Sequence, residues 1–438
     1  MKQTEVKRRF DYKWIVIASC FLMVMVSLGF ASSTKSLFPD EIAKELGTER
    51  SLVSIGESCR YIATAIVNVF FGVLIARFGA KTLIGAGVIC LTSSMLLYAA
   101  ADNLILIYIA GTLLGIGFSW TTTTMVGYIV GLWCAENKGT IMGLVLASNG
   151  LGGAIAVQLV GSLIDPNVTG SYRNAYLLIA AVLACLFVIL MIFFRNPPKD
   201  IEKATSSHTS KKRRGRDWTG ITFEAAIRKP YFWGALVCIF FTGLIIQGSH
   251  GIVAMHYKNV GIDYTAVKAF LSFGSLLLAG AKFLVGFLYD RGGLRLTVNI
   301  CTATAILTTF LLAIIKGDET GFVLAIIFTV VSQIAVPLET VMLPLYASDL
   351  FGRASYSKFL GLFVSVNVAG YAVGAPLMNL SYDLLGSYVP ALYLVGTIMI
   401  AVFVLLQFVI TAAHREQKRI ESSEIPAQSE QISEHSAN

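Results

Sequence analysis

Five charged side chains fall inside long apolar stretches of this 438-residue chain: Lys35, Glu57, Arg60, Lys282 and Glu339. One Lys, Arg or Asp at the centre of a buried apolar helix costs about 2.5–3.5 kcal/mol on insertion scales, so each needs a use. Three cations against two carboxylates leave the interior positive. That balance suits holding an anion and passing protons rather than covalent chemistry. Glu57 and Arg60 stand at i, i+3 and can pair directly. With Tyr61, Thr64 and Asn68 they form a polar stripe that is predicted to line water. An internal ion pair holding an outer gate explains Glu57 and Arg60 as well, and Lys35 could snorkel to lipid headgroups. Lys282 is harder to dismiss, with apolar Phe283, Leu284 and Val285 after it. Further polar groups at depth are Thr121 to Thr124, Tyr128, Gln247, His250, Gln333 and Asn367. Each of these could instead bond a neighbouring helix backbone.

Other chemistries find no support in the residue pattern. The seven cysteines lie singly in or beside apolar runs, and neither they nor the five histidines have metal-ligand or redox spacing. No phosphate loop, nucleophile elbow or Cys/His pair is present, so neither an enzyme nor a bound metal or other cofactor is expected. The glycines at 111, 115 and 150–153 sit within helical runs, where close packing is the usual reason.

The elements carrying these residues can be read from hydropathy. The chain is 55% hydrophobic and 14% charged, with mean hydropathy +0.71, which places it in a bilayer. Runs long enough to cross a hydrocarbon core of about 30 Å lie at about 14–37, 52–75, 83–101, 104–132, 140–164, 174–194, 231–256, 264–288, 297–315, 321–346, 359–382 and 390–411. The fourth and tenth exceed a straight crossing, and Pro337 and Pro344 predict a bend in the tenth. The first run is too long for a signal-peptide core and reads as a first span. The expected organisation is an N-terminal six-helix bundle (1–194), a basic linker (195–230) ordered near 223–227, a C-terminal six-helix bundle (231–411) and a disordered tail (412–438).

Lysine and arginine in the loops place both termini in the cytosol of a cell membrane, with ten such residues in the linker alone. The net charge of +8 is thereby a topology signal near anionic lipid, not a nucleic-acid surface.

The chain also repeats itself. Residues 72–81 read GVLIARFGAK and residues 286–295 read GFLYDRGGLR, 214 positions on. Gly143/Gly361, Asn149/Asn367, Gly152/Gly370 and Asp165/Asp383 recur at 218. Parallel repeats of this kind are found in transporters. The pattern G-x3-D-R-x-G-x-R/K after the second helix of each half resembles the loop signature of the major facilitator superfamily. That resemblance implies an all-α fold of twelve transmembrane helices in two six-helix bundles, with a central site reached alternately from each side. Gly72, Arg77, Gly79 and Lys81, with Gly286, Asp290, Arg291, Gly293 and Arg295, would form the cytosolic gate motif. The first copy departs by Ala76 in place of the signature Asp, and Gly111 falls where many members carry Arg, so its latch is expected to be built differently.

A narrower similarity is to the branch of the monocarboxylate transporters and the oxalate/formate antiporter. There the eighth helix carries a substrate-binding Arg four residues before the second motif's first glycine, which is the place of Lys282. Tyr12-Lys13-Trp14 and Lys35-Ser36 also resemble that branch, although Thr34 replaces its proline. Leu278 stands where animal members hold an acid, and no Lys occurs between Phe359 and Tyr382 where the oxalate antiporter has one, so oxalate is not expected.

The resemblance implies a monomeric secondary carrier of a small organic anion, partnered by protons and the lipid bilayer. A lysine, unlike arginine, can lose its proton in a low-dielectric cavity and regain it beside an anion, which would couple the two. Candidate substrate contacts are Lys282, Lys35, Arg60, Tyr128, Gln247, His250 and Asn367. Candidate proton carriers are Lys282, Glu339, Glu57 and His250. An exporter of neutral or amphiphilic compounds, in which the charges only serve gates, is the alternative.

Overall fold

Backbone polar groups in a bilayer must bond within their own segment, and helices satisfy this requirement. The computed structural model describes residues 2–35, 38–134, 137–164, 168, 170–196 and 220–436, and it contains no strand among them. The first half comprises α1 (Lys2–Ala31), α2 (Pro39–Leu46), α3 (Arg50–Val69), α4 (Phe71–Ala99), α5 (Leu104–Thr121), α6 (Thr123–Trp133), α7 (Lys138–Gly161) and α8 (Ser171–Phe193). A short α9 (Phe223–Ala226) precedes α10 (Pro230–Asn259), α11 (Tyr264–Ile314), α12 (Glu319–Val331), α13 (Met342–Phe351), α14 (Tyr356–Leu385) and α15 (Val389–Ser436). Among the described residues, ten stretches are long and apolar enough to cross a membrane. One of them, Ala269–Ile314, folds back at Gly293 and crosses twice, and the more polar α3 adds one more, which makes the expected twelve.

The glycines of the repeated motif have two separate duties. Gly79 (φ 76°, ψ 164°) and Gly293 (φ 80°, ψ 177°) sit where α4 and α11 reverse direction. That backbone region is open essentially to glycine alone. Gly72 and Gly286 instead let chains approach: a Cβ on Gly72 would strike Lys358 of α14, and one on Gly286 would strike the Gly139 backbone of α7. The two halves therefore clasp at the motif end, along α7 against α11 and α14 against α3 and α4.

Where the runs were too long, the structure bends. Thr121 and Thr122 return their hydroxyls to the carbonyls of Gly117 (2.9 Å) and Phe118 (2.7 Å), and the helix breaks between α5 and α6 at Thr122. Around Pro337 the tenth run passes through two 3-10 turns, Ser332–Ile334 and Val336–Glu339, before α13.

Three expectations need correction. The first helix ends at Ala31 rather than 37, because Ser33 and Thr34 bond back to Leu28 (3.3 Å) and Phe30 (2.6 Å). The chain then enters α2, which the hydropathy pattern did not mark and which Phe38 anchors by stacking on Tyr176 at 4.0 Å. The tail expected to be disordered continues as helix α15 to Ser436, since its Glu, Gln, Lys and Arg are good helix formers. The basic run 211–216, most of the linker and Ser36 lie outside the described residues.

Candidate functional site

The polar stripe of α3 divides into two parts. Its lower part is spent on packing: Thr64 donates to the carbonyls of Arg60 (2.8 Å) and Gly115 (3.0 Å), while Asn68 donates to Thr64 O (2.9 Å) and accepts from Thr124 (2.8 Å). These bonds fasten α3 to α5 and α6, with Asn68 buried and Thr64 half-buried. The upper part is charged. Glu57 Oε2 accepts from Arg60 at 2.6 Å and from Lys35 at 3.3 Å. Exposure falls inward, with Lys35 at 44%, Glu57 at 34% and Arg60 at 8%. The Arg60 guanidinium lies 4.3 Å from the Tyr61 ring and 5.4 Å from Phe118, and its buried Nε has no hydrogen-bond partner.

Tyr61 carries this cluster to the other half, meeting Tyr371 of α14 edge-on at 6.0 Å. Beside Tyr371 stands Glu339, 2% exposed in its 3-10 turn. Gln247 of α10 donates to Glu339 Oε2 at 3.2 Å. A continuous polar path thus runs Lys35, Glu57, Arg60, Tyr61, Tyr371, Glu339, Gln247. Sequence reasoning marked its charges and missed Tyr371 and Phe118, because no spacing rule links them to Arg60.

Lys282 is not on this path. It is 3% exposed, and its Nζ donates across the half-to-half seam to Leu146 O of α7 at 3.3 Å. Gly143 permits this approach, since a Cβ there would strike the Lys282 carbonyl. Among the described residues no carboxylate lies within ion-pair distance of Lys282. His250 and Gln247 line a cavity of about 220 Å³ between α10, α11 and α12.

Two expected contacts stand elsewhere. Tyr128 lines a cleft at the motif end and packs edge-on to Phe71 at 6.1 Å. Asn367 is buried and donates to Ile239 O at 3.2 Å, which ties α14 to α10. Its repeat mate Asn149 accepts from Ser33, in the turn just past α1, at 3.4 Å.

The gate motif is a set of helix ties. Asp290 accepts from the backbone N–H groups of Gly139 (2.9 Å) and Thr140 (2.6 Å), at the positive N-terminal end of α7. The methyl group of Ala76 cannot accept such bonds in the first half. There the seam is closed by Tyr356, which donates to Gly127 O at 2.9 Å, and by Ser365, which donates to Ala65 O. Arg295 bonds Gln407 (3.3 Å) and Thr411 (3.0 Å) of α15, and Arg291 lies over Phe287 at 4.3 Å. Arg77 is exposed beside Phe78, while the Lys81 N–H donates to Asn196 Oδ1 at 2.8 Å. Within the linker, Glu224 of α9 pairs with Lys358 at 3.2 Å, and its own backbone N–H and Lys358 hold its carboxyl below the usual carboxylate range. No three His, Cys, Asp or Glu converge as a metal site among the described residues.

Two six-helix halves clasped at one end, with ionisable groups buried between them, define a membrane transporter rather than an enzyme. The chain belongs to the Major Facilitator Superfamily, whose family model matches residues 20–355. It is 25% identical over 282 residues to the uncharacterized MFS-type transporter YcxA of Bacillus subtilis (strain 168), spanning 63% of this chain and 66% of that relative. Monocarboxylate transporter 12 of Rattus norvegicus is 21% identical over 440 residues, 94% of this chain and 87% of its own. Among solved structures, FucP in the outward conformation superposes with TM-score 0.69 at 15% identity, covering 91% of this chain and 99% of FucP. The human organic anion transporter MFSD10 gives 0.68 at 12%, covering 90% and 99%. These likenesses establish the fold.

Proposed function

We propose that the protein carries a small organic anion of monocarboxylate type, together with protons, by alternating access in a cell membrane with both termini cytosolic. The carrying observation is the unbalanced charge between the halves. Lys35 and Arg60 already share Glu57, and Lys282 faces a carbonyl instead of a carboxylate. An arriving carboxylate supplies the missing negative charge, and binding from both halves draws them together. Similarity to monocarboxylate transporter 12 along 94% of the chain supports the same class. The clasped motif end and the more exposed Lys35 and Glu57 at the opposite end of α3 fit a state entered from the Lys35 side. Lys282, with Glu339 and His250 in reserve, carries the proton.

Uptake of labelled lactate, pyruvate and benzoate into proteoliposomes, with and without an inward proton gradient, tests this reading. Gradient-driven uptake in the wild type, lost in Lys282→Gln, is expected. Lys282→Arg should still bind substrate but lose the pH dependence of uptake; unchanged pH dependence would sink the proton role of Lys282. A second reading, export of neutral amphiphiles, draws on the uncharged walls of the cavity around His250. Failure of every carboxylate to compete with such a compound would favour it.

A further inference from the structure

The cavity of about 220 Å³ between α10, α11 and α12 has no charged residue in its lining. It lies wholly within the second half, walled by Phe270 and Phe328 and by the polar side chains of Gln247, His250, Ser275 and Gln333. An apolar cavity of about 150 Å³ is already enough to hold benzene. A two- or three-carbon acid would leave most of this space unfilled.

The cavity also has a direction. Leu271, Ser275 and Leu278 line it from α11, and Lys282 continues the same helical face one turn nearer the motif end. Most polar groups in the wall are engaged: Ser275 donates to Leu271 O at 3.0 Å, Gln333 to Thr329 O at 3.2 Å, and Gln247 to Glu339 at 3.2 Å. The His250 ring is different. It tilts against Phe328 at 6.0 Å between centroids, and its nitrogens have no hydrogen-bond partner among the described residues.

We infer that this cavity is the subsite for the uncharged body of the transported anion, and that the substrate is a ring-bearing carboxylate with a hydrogen-bonding substituent rather than a lactate-sized acid. The inference rests on the anion reading above and narrows it. The carboxylate sits at the Leu278 end of the cavity, the end nearer Lys282, the ring lies beside Phe328, and a hydroxyl or carbonyl on the ring meets His250.

Direct binding of labelled lactate, benzoate and 4-hydroxybenzoate to the full-length protein in nanodiscs tests this assignment. Benzoate should bind at least about tenfold more tightly than lactate, and 4-hydroxybenzoate more tightly still. Ser275→Phe, which fills the cavity, should lower the benzoate-to-lactate preference by about tenfold. His250→Leu should remove the advantage of 4-hydroxybenzoate over benzoate, and it serves independently if Ser275→Phe does not fold. Equal affinity for lactate and benzoate in the wild type, or a preference that neither variant moves, would overturn the subsite while leaving the anion reading in place. No binding of any of the three acids overturns both.

Discussion

A single oxygen, Glu57 Oε2, answers two cations, and this sharing sets the charge of the first half. Replacing Glu57 with Gln keeps the shape and frees Lys35 and Arg60 together. We expect the variant to bind carboxylates several-fold more tightly, or at least no more weakly, and to melt at a lower temperature, because Arg60 then stays buried without a counter-charge. Equilibrium binding and thermal melting of the purified variant check both signs. Lys282 should behave in the opposite way. Its Nζ has only the Leu146 carbonyl to bond, so Lys282→Met exchanges a poorly compensated buried ammonium for an apolar side chain of similar length. Thermal stability should rise or hold while uptake falls at least about tenfold; a fall in both would mean that Lys282 serves the seam alone. At this scale the sequence was legible for charge and silent on partners. Hydropathy isolates Lys282, but its acceptor lies 136 residues away in the chain.

Helices are positioned here by glycine more than by charge. Gly79 and Gly293 turn the chain in a region that a Cβ excludes, so Gly79→Ala or Gly293→Ala should cost about 1–3 kcal/mol each. Denaturation in detergent, compared with Gly280→Ala, where an added Cβ meets no atom within 4 Å, checks the figure. The motif lies in the connections that the hydropathy runs leave at 76–82 and 289–296, and the backbone shows that its Gly79 and Gly293 make the turns. The motif could not predict that Asp290 caps α7 of the opposite half, nor that Tyr356 and Ser365 close the seam where Ala76 leaves it unlatched. The same limit explains Thr64 and Asn68. Their spacing puts them on one face of α3, and only the packing of α5 and α6 decides that their polar atoms bond neighbouring helices.

For the whole molecule, the clasped motif end would be one of the two arrangements that the alternating access proposed above requires. Asp290 is bonded only while α11 lies against α7, so its contribution belongs to the clasped state. Asp290→Ala removes a helix cap, a change that costs about 0.5–2 kcal/mol. Since 1.4 kcal/mol is a factor of ten, the balance should move about two- to thirtyfold toward an open motif end. Maleimide labelling of Ser357→Cys, in the cleft between the halves, should accelerate accordingly. An unchanged labelling rate would mean that Asp290 does not hold the clasp. The sequence by itself determined the solvent, the twelve crossings and the duplication, because hydropathy and repeat spacing are written along the chain. Only the tertiary structure decided which polar atoms are spent and which are free. It paired Glu57 twice, tied Asn367 to Ile239, set Lys282 against a carbonyl and left His250 facing a cavity, because a hydrogen-bond partner is fixed by the helix that packs alongside rather than by neighbours along the chain.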